Sequence, residues 1–160
     1  MRAVTNAMRL HWTAALALAL LANAAWAMKE GRTAAGVRYL TGGVTQGELA
    51  DINLKRPLHN LSVLTAARPS GAHLSDVRLA IVAVPAGSAK GGGAAPLLDV
   101  VMEGPWLLAN LDPGTYDLTA TLGEKTEKAR ISIVVGVDRQ VIFRIPTGDE
   151  VSPDLKSVQK

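Results

Sequence analysis

Two histidines, His59 and His73, are the side chains of the chain's body best suited to proton transfer or metal ligation near neutral pH. Histidine ligands must converge on one point, and neither residue stands in an H-x-E, H-x3-H or H-E-x-x-H spacing. Each therefore reads as a solvent-facing loop histidine. Ser70 or Ser75 with His73 and Asp76 has the residue types of a nucleophilic triad. Triad members converge from separate elements, however, and no G-x-S-x-G turn is present to expose a serine. Asp99, Asp112, Asp117 and Asp138 stand singly, without the D-x-D-x-D run of a calcium loop, and read as solvated. The glycine-rich stretch 85–96 (PAGSAKGGGAAP) lacks Walker spacing and reads as a flexible loop. Without cysteine the chain has no disulfide, thiol nucleophile or thiolate metal site. No catalytic constellation, metal site or cofactor is expected from these residues.

The surrounding elements are better marked than any chemistry. In 114–122, Tyr116, Leu118 and Ala120 alternate with threonines and Asp117, the period of two of a strand with one wet face. Asp112-Pro113-Gly114 before it has the composition of a type II turn, with glycine at the position of positive φ. Trp106, Leu108 and Leu111 supply apolar anchors, and Gly104-Pro105 breaks the preceding strand. After a hairpin at 122–125, Ala129, Ile131, Ile133 and Val135 form one row and Lys128, Arg130, Ser132 and Val134 the other. Val141, Phe143 and Ile145 make a final inward row. Upstream, 37–40, 58–66 and 77–84 read as strands. The strand at 77–84 is apolar on both faces, as a central or covered strand would be. Thr45 and Glu48 fit a capping box for one short helix carrying Leu49, Ile52 and Leu54. Short strands with turns at this spacing predict an all-β, antiparallel β-sandwich.

Residues 1–27 read as a cleaved secretory signal peptide: Arg2 and Arg9, then the apolar TAALALALLANAA, then Ala25-Trp26-Ala27, with cleavage between Ala27 and Met28. The apolar run falls short of the ~20 residues of a spanning helix. Its removal leaves fifteen basic against fourteen acidic residues, so the net charge drops from +3 to +1. That balance does not suggest a nucleic-acid partner or an anionic membrane surface. Residues 28–36 read as a frayed leader, 37–146 as one domain, and 147–160 as a disordered tail.

The succession of an aromatic strand, an L-x-P-G-x-Y corner, a strand, a hairpin and a closing apolar strand resembles the carboxypeptidase regulatory-like domain. The residues that carry it are Gly104, Trp106, Leu111, Pro113, Gly114, Tyr116 and Leu118. With the upstream segment AHLSDVRL (72–79), the chain looks like an exported, single-domain proteobacterial group. The resemblance covers about residues 60–145 and implies a transthyretin-like (prealbumin-like) Greek-key sandwich. It implies no chemistry of its own.

The leading expectation is a non-catalytic, periplasmic or secreted binding or assembly module whose partner is another envelope or secreted protein. An exposed edge strand or the glycine-rich loop would be its contact surface. A second expectation is a small transthyretin-like hydrolase using His59, His73 and an arginine such as Arg68 or Arg78. The Y-R-G-S ending of the hydroxyisourate hydrolases is absent from this chain. A third is a carbohydrate- or metal-ion-binding protein. Trp106, Tyr116 and Phe143 fall in register with core positions, which leaves few rings for a sugar.

Overall fold

The computed structural model describes residues 28–85, 87 and 94–147. The expected signal segment through Ala27, most of the glycine-rich loop and the segment from 148 onward, expected to be a disordered tail, lie outside the described residues. Among the described residues nine strands occur in chain order: β1 Lys29–Arg32, β2 Arg38–Gly42, β3 Leu61–Arg68, β4 Arg78–Val84, β5 Leu98–Val101, β6 Trp106–Ala109, β7 Gly114–Leu122, β8 Lys125–Ile133 and β9 Arg139–Pro146. One helix, α1 Gln46–Lys55, and a 3-10 turn, Arg56–Leu58, separate β2 from β3. No helix of the described residues is long and apolar enough to cross a membrane.

The strands form two sheets, ordered β1-β2-β6-β3-β9 and β5-β4-β7-β8. The alternating rows explain why they face one another. Leu61, Val63, Leu107, Phe143 and Ile145 from the first sheet meet Leu79, Ile81, Leu98, Tyr116, Leu118 and Ile133 from the second in one buried core. The fold is thus an all-β sandwich, as the periodicity predicts. One pairing departs from the antiparallel expectation. β3 and β9 run parallel over their full length, from Leu61 opposite Arg139 to Arg68 opposite Pro146. The chain must cross from β8 back to the first sheet, and it enters beside the start of β3, where Arg139 N–H bonds the Asn60 carbonyl.

The middle of the first sheet, β6 with its neighbours β2 and β3, is covered on both faces. On its outer side Leu40, Trp106 and Leu108 pack with Ile52 of α1, flanked by Met28, Leu49 and Leu64. Trp106 therefore belongs to a second cluster beneath the helix, not to the inter-sheet core that its period suggests. Its ring lies against Gly43, and the Arg56 guanidinium stacks 5.7 Å from its centroid. Its indole Nε1 is buried and has no hydrogen-bond partner among the described residues. Helix α1 starts where the sequence predicts. The Thr45 hydroxyl accepts from Glu48 N–H, and the buried Glu48 carboxylate accepts from Gly43 and Val44 N–H at 3.1 and 2.8 Å. Leu54 points to solvent instead of joining Ile52, because it sits two residues round the helix from it.

Four further expectations are corrected. Residues 29–32 form β1, hydrogen-bonded to β2, where a frayed leader is expected. KEGR has no apolar period to announce a strand; the backbone ladder and two side-chain tethers hold it. Gly114 does not adopt positive φ but opens β7; the corner is closed by the Tyr116 hydroxyl, which donates to the Asp112 carbonyl at 2.7 Å. Val135 lies beyond the end of β8 and is 80% exposed. The strand expected from Leu58 begins at Leu61, since Pro57 holds 56–58 in the 3-10 turn.

Gly104 is buried where a Cβ would run into the Gly42 backbone, so β6 can approach β2 only with glycine there. Gly104→Ala is expected to cost about 3 kcal/mol, the upper end of overpacking costs. Trp106→Ala should cost about 3–5 kcal/mol, whereas Trp106→Phe, which removes the unpaired N–H, should cost less than about 2 kcal/mol. Urea unfolding of the three variants checks the order; a Trp106→Ala protein as stable as the parent would place the ring in solvent.

Candidate functional site

The β1–β2 hairpin turns at 33–37, with Gly36 in the left-handed region at φ +87°. Its register sets Arg32 directly opposite Arg38 and Glu30 opposite Leu40. Because Leu40 packs toward the helix, alternation puts Glu30, Arg32 and Arg38 on that same side of the sheet. Gly31 is placed so that the Tyr39 ring can cross it; a Cβ there would collide with the ring.

The end of α1 and the 3-10 turn form the opposing wall. Together these elements enclose an open groove of about 690 Å3 lined by residues that include Glu30, Arg32, Arg38, Tyr39, Lys55 and His59. Its floor is pinned by two asparagines. Asn60 Nδ2 donates to the Leu111 carbonyl at 2.7 Å and its Oδ1 accepts from Leu111 N–H at 2.9 Å. Asn110 Oδ1 accepts from Asn60 N–H, and its Nδ2 donates to the Leu58 carbonyl at 3.3 Å.

The groove is cationic. Lys55 Nζ and Glu30 Oε1 are 2.6 Å apart, and this hydrogen bond, reinforced by the lysine charge, holds the Glu30 carboxyl below its usual range. Among the described residues Glu30 is the one acid lining the groove, and it is spent on Lys55. Arg32 donates from Nε to the Gly36 carbonyl at 3.1 Å, and the Arg38 side chain has no partner among the described residues. The His59 ring nitrogen Nδ1 lies 2.9 Å from the Lys55 carbonyl. A carbonyl only accepts, so Nδ1 carries the proton, and Nε2 is the ring atom left for a ligand.

The other residues singled out from sequence lie elsewhere. His73 is exposed and bridges Ala66 near the far end of β3. From His59 to Ala66 the chain advances seven residues, roughly 20 Å along the strand direction, so the two imidazoles are not brought together. Arg68, at the C-terminal end of β3, donates to the Arg144 carbonyl at 3.2 Å and lies 4.0 Å from Glu127. Arg78, on β4, makes a bidentate pair with Asp99 at 2.7 and 2.6 Å, which depresses the Asp99 carboxyl. Asp117 is likewise engaged by Arg130, at 2.6 and 2.8 Å. Among the described residues no three His, Asp or Glu side chains converge as metal ligands would. The motif residues serve the fold: Leu111, Tyr116 and Leu118 are buried in the main core, and Pro113-Gly114 leads into β7.

Arg32, Arg38, Tyr39, Lys55 and Asn110 escape a reading made from sequence spacing. The usable signal was the symmetry of R-T-A-A-G-V-R, two arginines flanking a Gly-containing turn. The chain matches no known family model and no curated protein.

The Glu30–Lys55 tether should respond to acid with a definite sign. A carboxyl held below its unfolded value adds stability that is present above that value and is lost as pH falls through the folded one. Side-chain NMR should show the Glu30 midpoint below the ordinary carboxylate range, returning to it in Lys55→Met. An unshifted midpoint in the parent would mean that the tether is not populated.

Proposed function

We propose that the protein is a non-catalytic binding or assembly module of the cell envelope, exported by residues 1–27 and carried on a prealbumin-like Greek-key sandwich similar to the carboxypeptidase regulatory-like domain. The observation that carries this reading is the groove beside β1. It joins a sheet edge to Arg32 and Arg38, which lack acidic partners among the described residues, and none of its described lining residues is a serine, threonine or cysteine. The separation of His59 from His73 and the pairing of Arg78 with Asp99 also favour binding over hydrolysis. The outer face of the second sheet offers less to a charged partner. Its shallow depression of about 340 Å3 holds the Asp117–Arg130 pair, in which each charge is already answered.

A photo-crosslinking residue in place of Leu58, which is 73% exposed in the groove, tests the reading in the intact envelope. The control position is Ser132, an exposed residue on the far face of the second sheet. A reproducible protein adduct from position 58 and none from 132 is the expected result. Turnover of a substrate by the purified protein, with no adduct at either position, would overturn it. Export is checked separately: the mature N-terminus should be Met28.

A further inference from the structure

We infer that the β1 edge and its groove receive an acidic, extended polypeptide segment as an added strand; this rests on the binding-module reading above. The ladder phase shows which backbone groups are offered. Thr33 N–H bonds the Val37 carbonyl, so Thr33 and Val37 are a hydrogen-bonded pair. Pairs in an antiparallel ladder alternate, so Gly31–Tyr39 and Lys29–Thr41 are bonded, and Glu30–Leu40 and Arg32–Arg38 are not. The N–H and C=O of Glu30 and Arg32 therefore point away from β2, toward the side where no further strand of the described residues lies.

Edges are usually guarded by charges that repel an incoming strand or by proline. Here the charges on the edge strand are engaged by other side chains of the protein. Lys29 is bound to Glu103 at 2.8 Å and Glu30 to Lys55, and β1 contains no proline. What remains is selective for charge. Arg32 and Arg38 face each other in a non-bonded pair, where Cα atoms are only about 4.5 Å apart and like charges disfavour the hairpin. Among the described residues neither has a carboxylate partner, and Glu30, the acid that lines the groove, is already paired. A carboxylate from an added strand would convert that repulsion into charge-assisted hydrogen bonds. A strand with acidic residues at alternate, groove-facing positions fits this arrangement, and a basic one is rejected by it.

The probe is a fluorescein-labelled eight-residue peptide of alternating glutamate and valine, titrated into the purified protein by anisotropy. Its lysine–valine counterpart and a copy N-methylated at alternate peptide bonds are run beside it. The acidic peptide should bind and the lysine peptide should not. Arg38→Glu should weaken binding tenfold or more, and so should N-methylation, which removes the ladder donors but no charge. Unliganded Arg38→Glu should melt at or above the parent, since an opposed arginine and glutamate replace like charges, and this excludes misfolding as the cause. Equal binding of the methylated copy would overturn strand addition. Displacement by inorganic phosphate as effective as by unlabelled peptide would overturn it also, reducing the site to a small-anion site. If the peptide does not bind while the Leu58 adduct still forms in the envelope, the acidic-strand inference falls and the binding-module reading stands. If both fail, both fall.

Discussion

Burial of β6 on both faces is the constraint on which the rest depends. Leu107 and Ala109 face the second sheet while Trp106 and Leu108 face the helix, and all four are buried. With no disulfide available, burial and hydrogen bonding have to hold this arrangement. The short strand can lie so deep only because Gly104 lets the chain pass over the Gly42 backbone and because α1 covers the outer side. The helix is in turn fixed by Glu48, whose carboxylate collects backbone N–H groups of the β2–α1 connection. That one acid therefore sets where α1 begins, and Pro57 in the 3-10 turn then fixes how Leu58 and His59 leave the helix.

The groove follows from this geometry without any residue placed there for chemistry alone. A helix laid across β2, β6 and β3 stops short of the β1 edge, and the space left beside it is walled by the hairpin and by the asparagine-pinned floor. The charges in it are exposed and the catalytic types are dispersed. On the binding-module reading proposed above, such an arrangement would recognise a partner through shape, charge and backbone hydrogen bonds.

Much of the fold was legible, and for one reason: strands of the second sheet are wet on one face, so their period of two is written in the residues. Tyr116, Leu118 and Ala120 fall inward as that period requires. The capping box of α1 was equally plain, because it is a local pattern of Thr45 and Glu48. What could not be read was whatever depends on distant partners. β6 is buried on both sides and has no period to reveal which cluster Trp106 joins. β1 has no apolar residue at all, and its pairing rests on tethers to Glu103 and Lys55, far away in the chain. The groove was hidden for the same reason. Arg32 and Arg38 are brought face to face by a hairpin that the composition of 28–36 disguised, while the conspicuous histidines do lie in connections, beside opposite ends of β3.

The parallel pairing of β3 with β9 has a kinetic consequence. Every strand of the second sheet, and β6 besides, lies in the chain between these two partners. Until Arg139–Pro146 has been made and delivered, Leu61–Arg68 lacks its neighbour on one side, and Phe143 and Ile145 are missing from the inter-sheet core. Closing so long an intervening stretch is entropically costly before any contact repays it, which places this topology among slow folders. Nascent chains halted before the last strand would hold an incomplete hydrophobic interior, ready to pair with whatever edge arrives first.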